Sequence, residues 1–218
     1  FMGLPFLCDR RALVPRPDTE TLVQATLGSI ATIGLRHPLL ADIGTGTGCV
    51  GISLLHALPD AHALLTDTSQ DALELARRNA ELNNVASRTT LLHGADLSPI
   101  QHSESARPPT VLVSNPPYIP AADIAALEPE VRDHEPPIAL DGGLDGLDAY
   151  RRILPAAGSL PSLQVVAFEC GIGQAPDLSA LMATHLPGWT ISTHRDLSGI
   201  DRVVTAHRAE AAPGRTAP

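Results

Sequence analysis

A chain of 218 residues, 44% of them hydrophobic, can bury one good core and is expected to fold as one soluble domain with at most a small appendage. Its formal net charge of -9 argues against a protein that lives on nucleic-acid phosphates, because such binders carry a basic face that releases counterions. Three scattered cysteines without CxxC, nine histidines without metal-ligand spacing and no apolar run of the ~18 residues that cross a bilayer lead us to expect a reducing cytoplasm, no disulfide, no metal and no membrane.

The first 38 residues hold a basic, proline-punctuated stretch, RRALVPRPDTE, followed by a helical pattern over 21–35. Asp18 and Thr19 make a good N-cap for that helix, and the same segment is equally suited to border a pocket, with Thr19 or Glu20 near its end. From residue 39 on, short apolar runs alternate with helical patterns, the signature of a parallel sheet wrapped by crossover helices. Strand-like runs cover 39–43, 63–66, 89–93, 110–114, 164–169, 190–193 and 202–206; helical patterns cover 50–58, 69–83, 145–154 and 175–186. The last two strands follow each other with no room for a crossover helix, so they are expected to pair antiparallel. The predicted fold is therefore α/β, a seven-stranded, mostly parallel sheet with one antiparallel strand, as in Rossmann-like class I S-adenosylmethionine-dependent methyltransferases. We expect residues 39–208 to be this domain, 1–38 to pack on it, 101–109 to be a polar surface loop and 209–218 to be a frayed tail.

The first strand runs into Asp42, Gly44, Thr45, Gly46 and Gly48, a GxGxG loop with an acid two residues ahead of it. Alternate glycines allow a ligand to approach the main chain closely, although a merely tight strand-to-helix turn would use them too. The second strand ends at Asp67, 23 residues after Gly44, where α/β nucleoside sites put a carboxylate on the ribose hydroxyls. Asp96 follows the third strand and is expected to reach an adenine amino group, with Leu97 as an apolar wall. Each acid taken singly also reads as a solvated loop carboxylate. With no GK[ST] after the loop and no basic residue to meet a pyrophosphate, the pattern points to a nucleoside without phosphate, and S-adenosylmethionine is such a ligand.

The fourth strand exits into Ser114-Asn115-Pro116-Pro117-Tyr118. A plain turn uses these residues, but if the first and fourth strands flank the switch point of the sheet, the segment faces the glycine loop. The Asn115 side-chain oxygen and the Pro116 carbonyl then form a fork that accepts both hydrogens of a planar NH2 group and turns its nitrogen toward a methyl donor. The prolines stiffen the fork, and Tyr118 is expected to pack its ring against a planar substrate. Because the nitrogen becomes acidic once alkylated, no dedicated base is required.

The blocks VPRPDTETLV, DIGTGTGCVGISL, SNPPYI, EPPIALDGGLDGLDAYRRI, FECGIGQ and DLSGIDRVV together resemble the HemK-type protein-(glutamine-N5) methyltransferases over nearly the whole chain. The resemblance implies methyl transfer from S-adenosylmethionine, leaving S-adenosylhomocysteine, to the glutamine of the GGQ motif in peptide chain release factors. It implies that Gly44 to Gly48 and Asp67 hold the cofactor and that Asn115, Pro116, Pro117 and Tyr118 seat the glutamine. A release factor is the partner implied, without direct nucleic-acid binding, and a monomer is expected. Family members usually carry a helical N-terminal domain that grips the release factor; this chain is expected to lack it. Leu97 stands where an aromatic is common, and Cys170 where an apolar or basic residue is expected. The alternatives are a glutamine methyltransferase acting on a ribosomal protein, an adenine-N6 nucleic-acid methyltransferase, and a cofactor-binding module without catalysis.

Overall fold

A computed structural model describes residues 1–102, 107–132 and 135–208. The expected loop over 101–109 lies partly, and the tail at 209–218 wholly, outside the described residues. Seven strands, β1 (Leu39–Ile43), β2 (His62–Asp67), β3 (Thr89–His93), β4 (Val111–Ser114), β5 (Val165–Glu169), β6 (Trp189–Arg195) and β7 (Asp201–Arg208), form one sheet in the order β3-β2-β1-β4-β5-β7-β6. All neighbours up to β5 run parallel, while β7 runs antiparallel to both β5 and β6. The central strands β1, β4 and β5 are buried at every position, as parallel strands covered on both faces must be.

Helices α1 (Glu20–Thr32), α2 (Cys49–Ala57) and α3 (Gln70–Leu82) cover one face. The short α4 (Ser98–Gln101) and the long α6 (Asp148–Gly158) and α7 (Ala175–His185) cover the other; the short α5 (Pro129–Arg132) belongs to the β4–α6 connection. Each apolar layer meets one set of strand side chains: Leu40, Leu65, Val113 and Ala167 on the α1–α3 side, Ala41, Leu64, Leu112 and Val166 on the other. This alternation follows from the two-residue period of a strand. Among the described residues no helix is long and apolar enough to cross a membrane.

Two helix boundaries differ from the predicted ones for local reasons. The first helix stops at Thr32 because Gly34, at φ +62°, sets up a Schellman cap in which Leu35 N donates to Ile30 O at 3.1 Å. The predicted helix over 145–154 begins only at Asp148, since Gly146 takes φ +79° and the Asp145 carboxylate accepts from Leu147 N at 3.2 Å. It then continues through Pro155 to Gly158.

The N-terminal segment is sewn to α3 by side-chain amides. Asn79, fully buried, exchanges bonds with the Leu7 main chain, accepting at 2.7 Å and donating at 3.0 Å, and also donates to Thr47 O at 2.8 Å. The segment is thereby laid over the glycine loop, with the Ala12 methyl 3.6 Å from where a side chain on Gly46 would begin.

Candidate active site

The parallel strands β1 and β4 are neighbours, and their chain ends diverge to opposite sides, so the switch point of the sheet lies between them. Ser114 at the end of β4 donates to Ile43 O at the end of β1 at 2.6 Å, which ties the two exits together. The cavity that opens above them is lined from both sides. Asp42, Gly44, Thr45, Gly46, Asp67 and Asp96 line one side, and Asn115, Pro116 and Pro117 the other.

The glycine loop is built for close approach. Gly44 and Gly46 take φ +68° and +54°, conformations that L side chains rarely adopt, and a Cβ on Gly44 would project into open space. Asp67 holds the loop by accepting from Gly46 N through one oxygen and from Ser69 N through the other, both at 2.9 Å. Each oxygen keeps a second lone pair for a hydroxyl donor. Asp42 is buried beneath the loop, where its carboxylate accepts from Thr45 Oγ1 at 2.6 Å and Gly51 N at 3.0 Å. Burial pushes its carboxyl up to about 6, against the pull of those two bonds.

Three predicted site residues stand outside the cavity wall. Gly48 ends the loop at φ +81°, where a Cβ would strike Ile52 at 2.8 Å; it closes the packing of α2 rather than facing a ligand. Leu97 is 1% exposed and belongs to the core, so the apolar wall comes instead from Ala149 and Ile153, on the inward face of α6. Tyr118 sits behind the wall, its hydroxyl donating to Glu169 Oε1 at 3.4 Å. Of the two N-terminal candidates, Thr19 lines the cavity, whereas Glu20 accepts from Met2 N.

The basic RRALVPRPDTE stretch brings Arg11 and Arg16 to the cavity wall, where Arg152 joins them. Each is committed to a carboxylate: Arg11 to Asp9 at 2.7 Å, Arg16 to Glu135 at 2.6 Å and Arg152 to Asp96 at 3.2 Å. Fork-shaped guanidinium groups paired in this way brace loops and leave little free charge for a phosphate.

The remaining sequence blocks converge behind the Asn115 segment. A Cβ on Gly146 would lie 2.2 Å from Tyr118 O, and one on Gly142 would lie 2.7 Å from Tyr118 Cα, so both glycines let the DGGLDG turn press on that backbone. Gln174 accepts from Gly171 N at 2.8 Å and donates to Tyr118 O at 2.9 Å. Arg202 bonds Asp196 at 3.1 Å and lies 3.6 Å from Asp18. Cys170 is a buried free thiol, pushed up to about 12 by burial, which leaves it protonated and inert at neutral pH. Among these supports, Glu169, Gln174 and Arg202 were not singled out from the sequence; only their place inside the resembling blocks marked them.

Asp67→Ala is expected to weaken donor binding at least tenfold, because it removes both the hydroxyl acceptor and the clamp on Gly46 and Ser69; a factor of ten corresponds to about 1.4 kcal/mol. Titration calorimetry checks this, and equal affinity would remove Asp67 from the site.

The family described as Methyltransferase small domain matches residues 26–127. A release factor glutamine methyltransferase of Bradyrhizobium diazoefficiens is 41% identical over 95% of this chain and 69% of its own length. One of Geobacter sulfurreducens is 42% identical over 94% and 68%, and one of Bacillus anthracis 38% over 94% and 72%. The crystal structure of a release factor-specific protein-(glutamine-N5) methyltransferase from Alicyclobacillus acidocaldarius superposes with a TM-score of 0.53 at 28% identity, covering 93% of this chain and 99% of that one. The N-terminal domain of human METTL16, solved with SAH, shares the fold with a TM-score of 0.66 at 18% identity, covering 96% of this chain and 77% of that one.

Proposed function

Because the chain belongs to the release factor glutamine methyltransferase family, it methylates a release factor glutamine, and we propose that Asn115 and Pro116 hold the GGQ amide beside a donor seated on Gly44, Gly46 and Asp67. The observation that carries this reading is the shared cavity: a glycine cradle with a carboxylate at one strand exit and a two-acceptor fork at the next, tied by the Ser114–Ile43 bond. The residues present suit S-adenosylmethionine, since the open space over Gly44 admits a ligand against the main chain and Asp67 offers its oxygens to ribose hydroxyls. When bound, that cofactor supplies a methyl group on a sulfonium, an electrophile that needs no further activation.

The protein's task is then alignment. An amide nitrogen is a poor nucleophile because its lone pair is delocalised over the planar group. The Asn115 side-chain oxygen and the Pro116 carbonyl each accept one of its hydrogens, which orients the nitrogen and lets positive charge develop on it against two acceptors. Pro116 is buried and fixes the carbonyl direction. Ala149 and Ile153 keep the wall dry where an adenine ring would lie.

The nucleic-acid alternative is weakened by the paired arginines, which leave little positive potential on the cavity wall. The test is incubation with methyl-labelled donor and, separately, a release factor, ribosomal protein or RNA, followed by mass spectrometry. One methyl group on the GGQ glutamine is the expected result; label only on ribosomal protein or on adenine would overturn the assignment.

A further inference from the structure

Asparagine has two ends of nearly equal shape, an acceptor oxygen and a donor NH2, so its neighbours must decide which end faces a substrate. Asn115 Nδ2 donates to Thr19 Oγ1 at 3.3 Å. Thr19 is the N-cap residue of α1, yet its side chain makes no capping bond; the hydroxyl is turned to Asn115 instead. Behind it lies Glu169, 1% exposed, whose Oε1 accepts from Tyr118 and whose Oε2 is buried without a partner at hydrogen-bond distance. An orphaned carboxylate oxygen is costly and draws the nearest donor. Among the described residues the Thr19 hydroxyl has no acceptor of its own within hydrogen-bond distance, and it is one of the groups that pull the Glu169 carboxyl down against burial.

Resting on the reading of Asn115 above, we infer that Thr19 and Glu169 are positioning residues: the Glu169 carboxylate accepts a hydrogen bond from the Thr19 hydroxyl, so the Thr19 oxygen only accepts from Asn115, and the Asn115 oxygen is left facing the target amide. The buried carboxylate thus sets the polarity of a fork it never touches. A protonated Glu169 reverses the chain. Its O–H donates to the Thr19 oxygen, the Thr19 hydroxyl donates toward Asn115, and the amide turns its NH2 group on the substrate, where two donors face each other.

Glu169 is faced by Tyr118 beyond β4, Arg202 on β7 and Asp18 ahead of α1. Burial dominates and pushes its carboxyl up to about 7, with Thr19, Arg202 and Tyr118 pulling it back down. Asp42, raised to about 6, acts on the glycine loop, so its effect is removed by reading kcat at saturating donor. The folded value for Glu169 lies above the ordinary carboxylate value. The native state therefore holds its proton more tightly, and this group's contribution to stability is greatest at low pH and declines as pH rises through about 7.

The expected results separate positioning from folding. Wild-type kcat falls about tenfold per pH unit below about 7, as one deprotonated group requires. Glu169→Gln loses that acid limb and much of the rate, while melting no lower than wild type at pH 8 and binding donor equally well. Thr19→Val lowers kcat on the order of 10²-fold with little change in donor affinity, and Thr19→Ser restores most of it. A Glu169→Gln enzyme that keeps the acid limb, or a Thr19→Val enzyme with wild-type kcat, overturns the inference while the assigned reaction stands. No transfer by the wild-type chain to a release factor sinks both.

Discussion

Replacing Asn115 with alanine is expected to lower methyl transfer to a release factor by on the order of 10³-fold while donor affinity changes little. The expectation follows from what the side chain does and does not hold. Its backbone leaves β4, whose four residues are all buried, and Pro116 restricts its conformation, so truncation past Cβ leaves the strand exit in place. Among the described residues its side chain makes one hydrogen bond, to Thr19 at 3.3 Å, a single neutral contact worth about 1 kcal/mol. The glycine loop, held by Asp67 and Asp42, does not depend on it. Loss of one of two acceptors leaves the target nitrogen free to rotate away from the donor. Single-turnover rates and donor calorimetry on the same preparation check the two halves, and unchanged transfer would remove Asn115 from the fork.

Gly146→Ala should also disable the enzyme, through the backbone behind the fork. An alanine there meets Tyr118 O and Gln174 Nε2, both at 2.2 Å, and must be accommodated at φ +79°. The bond from Gln174 to Tyr118 O would be displaced, and with it the carbonyl and peptide planes that follow Pro116. Backbone strain alone costs about 1–3 kcal/mol at such a position. Gly173→Ala provides the control: it has φ +82° and nothing within 4 Å of the added carbon. Both variants should melt lower than wild type, but only Gly146→Ala should lose kcat by more than its loss of folded protein explains. Equal activity in the two would show that the DGGLDG turn supports stability and not the fork.

The strands were legible to within one or two residues because buried parallel strands read as short apolar runs, and the glycine loop because its spacing constrains the backbone directly. Helix ends were less so: Gly34 and Gly146 act through left-handed geometry that an apolar pattern does not register. Leu97 was misplaced because an apolar residue after a strand-end acid suits a ligand wall and a core equally well; α6 decides between them by supplying Ala149 and Ile153. Tyr118 was expected to touch a substrate; it is half-buried, with its hydroxyl bonded to Glu169 and its carbonyl to Gln174, residues more than fifty positions away.

By itself the sequence determined the α/β class, the reversed strand, the loop at Gly44 to Gly48 and the strand exit at Asn115 and Pro116, since each is encoded in a few adjacent residues whose backbone preferences are local. Only the tertiary structure decided what surrounds that exit. Thr19 and Glu169 lie 150 residues apart along the chain, at the start of α1 and the end of β5, and bond Asn115 and Tyr118 respectively. Their burial and the unpartnered oxygen of Glu169 arise from packing, which no local pattern records.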